Sequence, residues 1–356
     1  MLTQWLYPNN VTTPMLFGEM LIAAVVVVLI AIRLTKLADR FADEWNLGRA
    51  FVGMLLLATV TSLPEVVAGA TAAAIGSVDM AFAAVYGSCS FNIVIIVIMN
   101  LALAGGGSVL REARPTQLLN SSFGIVMIVF SISAIAAVQK FAGSPIIQQT
   151  IEVVSSLSII VTYIWFMTLS QRFEKRDAVT TLLKDAPGRS AGVVIALVVV
   201  SVLTVMSAWW LTKTGDVLAE HPIEYLGRPL GKTAIGICFL AIATSLPEIA
   251  TSLTAVRINN LDMALGNVFG SNMFNMLVVP VIKVSAWCTG DSLCTYGPNF
   301  SANLNILAGL FAVMMMAIAL AGIAYRTQRR VLRLGVDSVV LLLVYVAGMA
   351  ILLTQQ

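Results

Sequence analysis

Two glutamates stand apart among the 18 acidic residues of this 356-residue chain. Glu65 and Glu248 each close the same pentapeptide, Thr61-Ser62-Leu63-Pro64-Glu65 and Thr244-Ser245-Leu246-Pro247-Glu248. Each falls about 15 residues into an apolar run, deep in what would be the hydrocarbon layer. A carboxylate at that depth costs a few kcal/mol or more and implies a partner or a water-filled cavity. A structural hydrogen bond would account for one such residue. Two at matching positions in identical blocks point to a shared ligand.

The neighbouring residues supply oxygen. Proline inside a helix lacks an N–H and clashes with the carbonyl four residues earlier. Pro64 and Pro247 are therefore expected to release the carbonyls of Val60 and Ala243 and to loosen those of Thr61 and Thr244. Irregular backbone at membrane depth is tolerated where it lines a cavity. Ca²⁺ takes six to eight oxygens in flexible geometry, and two carboxylates balance its charge where the effective dielectric is low. Transition metals favour imidazole and thiolate. The single histidine, His221, falls in a predicted loop, where solvated surface is the plainer reading. Ser88 and Asn92 are four residues apart and share one helix face, as do Ser271 and Asn275. Their neutral oxygens suit monovalent ions or support around the divalent one. Small neighbours (Ala83, Ala84, Gly87, Gly266 and Gly270) permit close helix approach, a packing role that needs no ion.

The elements that must hold these groups are membrane helices. Hydrophobic residues make up 59% of the chain and charged ones 11%, against about 25% charged in a soluble domain. So few charges cannot cover a water-soluble surface, which excludes that class. Nothing in the net charge of +3 suggests nucleic acid, because the Lys and Arg residues lie in short loops. Apolar runs place ten spans at roughly 15–33, 50–75, 80–104, 118–139, 146–169, 190–211, 232–256, 262–284, 302–324 and 336–354, each near the roughly 20 residues a crossing needs. The first 14 residues carry no Lys or Arg, so no removable signal is expected and the first run reads as a retained helix. The charged stretch 171–189, closed by Pro187-Gly188, reads as a cytoplasmic linker between two halves, 1–170 and 190–356. Alternate loops hold 16 and 5 of the 21 Lys and Arg residues. The positive-inside rule then puts both termini outside.

The two halves are copies. A shift of 183 residues aligns 53–92 with 236–275 without a gap, and 19 of the 40 positions are identical. Each half holds five predicted spans, an odd number, so the second enters the membrane in the opposite sense. The expected fold is an all-α membrane protein of two inverted five-helix repeats. Such repeats are the architecture of secondary transporters, with ion sites at the midplane where broken helices meet.

With two Thr-Ser-x-Pro-Glu blocks, each followed by Gly-Ser-x-x-Phe-Asn, the chain resembles the sodium/calcium exchanger family, of prokaryotic ten-helix type. The resemblance covers essentially the whole chain, with 53–92 and 236–275 as the alpha repeats. It implies an antiporter, not an enzyme, with no cofactor, carrying Ca²⁺ against Na⁺ through four ion positions. Glu65, Glu248 and the main-chain oxygens of Thr61 and Thr244 would ligate Ca²⁺. Sodium would share the glutamates and use Ala58, Ser62, Ser88, Ala241, Ser245 and Ser271, with Asn92 and Asn275 bordering the central position. The resemblance also implies alternating access by sliding of the first and sixth spans, in a bacterial or archaeal inner membrane. Departures bear on the counter-ion. Ala83, Ala84 and Cys89 replace Gly, Asn and Asn of the usual first repeat, Val60 stands where Gly or Ala is usual, and Asn275 stands where prokaryotic members often have an acid. Exchange for H⁺ or K⁺ therefore stays open beside Na⁺, and a cation channel is a remote alternative.

Other residues receive plainer readings. Cys89 and Cys238 read as small apolar residues within spans. Cys288 and Cys294 share one predicted outer loop, and a disulfide between them is expected there. Glu19, Asp79, Glu152, Asp262 and Asp337 fall near span ends, where interfacial solvation is the default. The 16 methionines read as packing filler.

Overall fold

The uncharged runs form helices, and the charges between them form staples. A computed structural model describes residues 12–103, 108–141, 143–178, 190–220, 222–223, 228–229, 244–288, 300–326, 330–331 and 334–354. The helices are α1 (Thr13–Glu44), α2 (Arg49–Ala74), α3 (Val78–Ala102), α4 (Pro115–Lys140), α5 (Pro145–Ala178), α6 (Ala191–Glu220), α7 (Leu246–Arg257), α8 (Leu261–Cys288), α9 (Ala302–Tyr325) and α10 (Val336–Thr354). A single turn, Val109–Glu112, precedes α4, and two antiparallel pairs of two-residue strands lie in loops. All of these helices except α7 and α10 are long and apolar enough to cross a bilayer, eight in number among the described residues. The chain is an all-helical, multi-span membrane protein. The first part of the predicted seventh span, up to residue 243, lies outside the described residues.

Helix ends depart from the hydropathy boundaries for an electrostatic reason. α1 runs on to Glu44, eleven residues past the expected end at 33. Arg40 pairs with Glu44 at 2.8 Å one turn on, and Arg49 reaches Asp39 at 2.9 Å and Asp43 at 2.7 Å. The i,i+4 pair Arg40–Glu44 supports the helix in water and the Arg49 pairs tie its end to α2, where hydropathy has no signal. α5 likewise continues to Ala178, so the predicted linker is helical at its start, and 179–189 lie outside the described residues.

The repeat is visible in backbone detail. α2 ends on Gly76 with φ 79° and α7 ends on its counterpart Asn259 with φ 57°. The N–H groups of Gly76 and Ser77 turn back to Ala73 and Ala72 at 3.0 and 2.8 Å. Those of Asn259 and Asn260 turn back to Val256 and Ala255 at the same two distances. Left-handed caps of this kind favour Gly, then Asn. Both copies thus use one turn to start the next helix, α3 or α8.

α8 and α3 occupy the centre, with 83% and 72% of their spanning windows buried, against 33% for α1, 28% for α6 and 22% for α5. α8 touches α2 backbone to backbone. A Cβ on Gly270 would lie 2.6 Å from the Met54 Cα, and one on Gly266 or Gly53 would collide with the carbonyl of Ala50 or Met263. α1 and α6 run antiparallel along the side. Glu19 accepts from the Trp210 Nε1–H at 2.7 Å near one end, and Glu44 accepts from the Ser190 N–H at 3.1 Å near the other. Leu16, Met20, Ala23 and Val27 of α1 form, with Leu211 and Leu218 of α6, an apolar cluster separate from the main core. Leu246 of α7 packs against this cluster, and further along the two helices Leu34, Ala38 and Ala42 of α1 and Leu197, Val200 and Val205 of α6 join the main core.

The five acids expected to be solvated at span ends are partnered instead. Glu19 holds Trp210. Glu152 of α5 is buried and ion-paired with buried Lys283 of α8, whose Nζ also lies 3.2 Å from Ser155. Lys283 is therefore a core residue and not one of the loop charges with which it was counted. Asp337 accepts from Ser108 and from the Ser338 N–H. Asp79 accepts from the Ser301 N–H at 3.0 Å and from Asn305 at 2.5 Å, capping α9. Its counterpart Asp262 pairs with Arg114 at 2.8 Å, at the start of α4. Hydropathy locates such acids correctly but cannot see the element that comes to meet them.

Candidate functional site

The two pentapeptides enter the site through different local structures. In α2, a helical turn at Arg49–Val52 passes into a π-helical segment, Gly53–Leu57, before α-helix resumes at Ala58 with Pro64 inside it. π segments widen the hydrogen-bond register and recur at functional sites. The Thr61 hydroxyl donates to the carbonyls of Leu57 at 3.0 Å and Ala58 at 3.4 Å. The Ala58 oxygen, expected to face an ion, thus already has a donor. In the second copy α7 begins at Leu246, and Pro247 sits in its first turn. A missing N–H costs nothing there, so Pro247 marks a helix start where Pro64 marks a helix interior. Ala243, whose carbonyl was expected to be freed, lies outside the described residues. Glu248 occupies the first turn of α7, where the helix dipole favours a negative charge.

The copies meet at their glutamates. The Ser62 hydroxyl of α2 donates to Glu248 Oε1 of α7 at 3.2 Å, and the Glu65 and Glu248 carboxylates are close enough to repel each other. Glu248 is 1% exposed. Oε2 of both glutamates is buried without a hydrogen-bond partner among the described residues. Glu65 itself is partly buried, and like charges held close together favour a neutralising partner.

α3 and α8 supply a second pair of surfaces. Cys89 and Asn272 are counterparts in the repeat and bond to each other's backbone: Asn272 Nδ2 donates to the Cys89 carbonyl at 3.0 Å, and the Cys89 thiol lies 3.8 Å from the Asn272 carbonyl. Asn92 donates to Asn272 Oδ1 at 3.0 Å, so its amide N–H is in use. Asn275, its counterpart, is 1% exposed, and neither its amide oxygen nor its nitrogen has a hydrogen-bond partner within normal distance among the described residues. The same holds for the buried Ser271 hydroxyl. Asn267 braces the start of α7, donating to Thr251 Oγ1 and Ser252 Oγ, both at 2.9 Å. Buried polar groups are nearly always satisfied. Oε2 of Glu65 and Glu248 and the side-chain oxygens of Ser271 and Asn275 lack such a partner among the described residues, which makes them candidates to hold a ligand.

The predicted residues divide accordingly. Thr61, Ser62, Asn92, Ser245, Ser271 and Asn275 are buried, Ser88 and Thr244 are partly buried, and Ala241 lies outside the described residues. Asn267 and Asn272 were missed as positioning residues. Their signal was present, since they are amides in the most deeply buried helix, where each needs a partner. Cys288 is exposed at the end of α8, and Cys294 and His221 lie outside the described residues, as does Cys238.

Two neighbouring carboxylates within a multi-span helical bundle suggest a protein that handles cations. The sodium/calcium exchanger family model matches residues 15–171 and 192–354, and the chain belongs to that family. It is 26% identical to the inner membrane protein YrbG of Escherichia coli (strain K12) over 277 residues, 73% of this chain and 76% of that one. It is likewise 26% identical to the putative antiporter CaxA of Alkalimonas amylolytica, over 73% of this chain and 79% of that protein. The fold matches solved structures of the sodium-calcium exchanger NCX_Mj, with a TM-score of 0.67 at 19% identity over 95% of this chain and 99% of that one.

Proposed function

We propose that the protein exchanges Ca²⁺ for Na⁺ across the membrane, the two ions competing for Glu65 and Glu248. The observation that carries this reading is the meeting of those two carboxylates, one from each repeat, with an idle oxygen on each. Ca²⁺ would take both carboxylates and the main-chain oxygens of Thr61 and Thr244. Ser62, Ser88, Ser245, Ser271 and the two asparagines would serve sodium, with Ala58 and Ala241, or support the divalent ion. An occupied pair is neutral, whereas an empty pair buries two like charges. Slippage without cargo is therefore disfavoured, and one ion leaves only as another arrives.

Alternating access would follow from the packing. α1 and α6 share their own apolar cluster and pack on α2 and α7, the helices that carry the two pentapeptides, so the pair can slide as a unit past the rest. Their antiparallel course supports an inverted pair of five-helix halves; the ten spans rest on the apolar runs, and the outward termini on the distribution of Lys and Arg. The sodium/calcium exchanger MaX1 of Methanosarcina acetivorans, 43% identical over 56 residues, 16% of this chain and 15% of that protein, supports Ca²⁺ as cargo.

The experiment is Ca²⁺ uptake into proteoliposomes under an imposed gradient of Na⁺, K⁺ or H⁺, one at a time. Na⁺ alone should drive uptake, and Glu65→Gln or Glu248→Gln should abolish it in folded protein. Uptake driven by K⁺ or H⁺ instead would replace the counter-ion. Uptake with no counter-ion would make the protein a channel, and near-normal flux in both variants would overturn the site.

A further inference from the structure

Outside the ion site, a groove of about 570 Å³ opens between α1 and α6 on the face away from the core, lined by Leu29, Ile30, Ile32, Arg33, Lys36, Val200 and Leu203. Leu29, Arg33 and Lys36 are spaced four and three apart and share one helix face. Leu29, at 59% exposed, and Leu203, at 43%, present apolar surface to the membrane. Arg33 and Lys36 are exposed where the apolar run of α1 gives way to charge. The next cations on that segment are neutralised, Arg40 by Glu44 and Arg49 by Asp39 and Asp43. No such partner meets Arg33 or Lys36 among the described residues. Two unpaired cations thus cap an apolar furrow at the end of the helix pair that carries the excess of Lys and Arg.

We propose that this groove is a binding site for one anionic phospholipid. The headgroup phosphate is held by Arg33 and Lys36, and an acyl chain lies along Leu29, Ile32, Val200 and Leu203. Charge complementarity commits the site to that occupant. A zwitterionic lipid brings its own cation to two cations already there, and a soluble anion leaves the furrow uncovered. Cations beside an anionic headgroup contribute about 1 kcal/mol each, so loss of both lowers affinity about thirtyfold. The lipid touches both helices and spans their seam on the membrane side.

The test is native mass spectrometry of the full chain released from vesicles of equal phosphatidylglycerol and phosphatidylcholine. Wild type should retain one more phosphatidylglycerol than the Arg33→Gln/Lys36→Gln variant, and Arg33→Lys/Lys36→Arg should retain it like wild type. Neutralising two exposed cations elsewhere, Arg111→Gln/Arg172→Gln, should leave retention unchanged. Equal retention by wild type and the first variant overturns the site, as does equal loss in the remote control. Displacement by millimolar glycerol 3-phosphate would make the occupant a free anion and overturn the lipid. Binding is read without transport, so the result does not depend on which ions are exchanged.

Discussion

The site is a duplicated motif whose two copies have diverged in what they leave unpaired. Asn92 spends its amide N–H on Asn272, while Asn275, in the equivalent place, has no hydrogen-bond partner for either polar atom among the described residues. Symmetry of sequence thus yields asymmetric surroundings, and the proposed site draws on Ser271 and Asn275 of the second repeat. Ser271→Ala and Asn275→Ala should each raise the half-saturating Ca²⁺ concentration by about tenfold or more, since a contact to a charged group contributes about 1.5–3 kcal/mol. Calorimetric titration with Ca²⁺ checks this, and unchanged affinity in both would remove them from the shell. Asn92→Ala acts differently. It strips a partner from Asn272, itself bonded to Cys89, and should lower thermal stability as well as affinity.

Individual helices are tied by buried or half-buried acids, and these ties are testable pair by pair. Lys283 and Glu152 join α8 to α5 with exposures of 4% and 0%. Removing one partner strands a buried charge, at a cost of about 3–5 kcal/mol, whereas replacing both with apolar residues is often neutral. Lys283→Met and Glu152→Leu should therefore each lower the melting temperature in detergent sharply, and the double variant should recover most of the loss. If the double variant melted as low as the worse single one, the pair would be holding more than its own two charges. Asp79→Asn and Asp262→Asn remove helix-start contacts and should cost less, about 0.5–2 kcal/mol each, read in the same melts.

This level also marks where the sequence stops being informative. The apolar runs located eight spans to within a few residues of their hydrocarbon-deep parts, and the 183-residue shift matched even the Gly76 and Asn259 caps. Both signals are local in the chain. The partner of Glu152 lies 131 residues away, and the helical tail of α1 is sustained by charges, to which hydropathy is blind. The two prolines read alike in sequence, yet one sits inside α2 and the other opens α7. The pentapeptide alone does not decide between the two placements.

At the scale of the whole molecule, the proposed sliding of the α1–α6 pair makes a demand on its contacts that rigid packing would not. Contacts within the pair must survive the cycle, while contacts between the pair and the core must break. The structure offers one of each. Glu44 of α1 reaches Ser190 beside α6, and Thr35 of α1 donates to the Thr251 carbonyl of α7 at 3.4 Å. With the four native cysteines replaced by alanine, a short thiol cross-linker should trap Thr35→Cys with Thr251→Cys and stop Ca²⁺ exchange. The same reagent on Glu44→Cys with Ser190→Cys should leave exchange within about twofold of the untreated protein. Cleaving the first cross-link should restore flux, which separates arrest from damage. Arrest by both cross-links would mean that α1 and α6 move against each other, and arrest by neither would mean that access alternates through some other pair of surfaces. In the proposed scheme α1 and α6 hold equivalent places in the two halves, and their antiparallel course would let one displacement close the path on one side as it opens the path on the other.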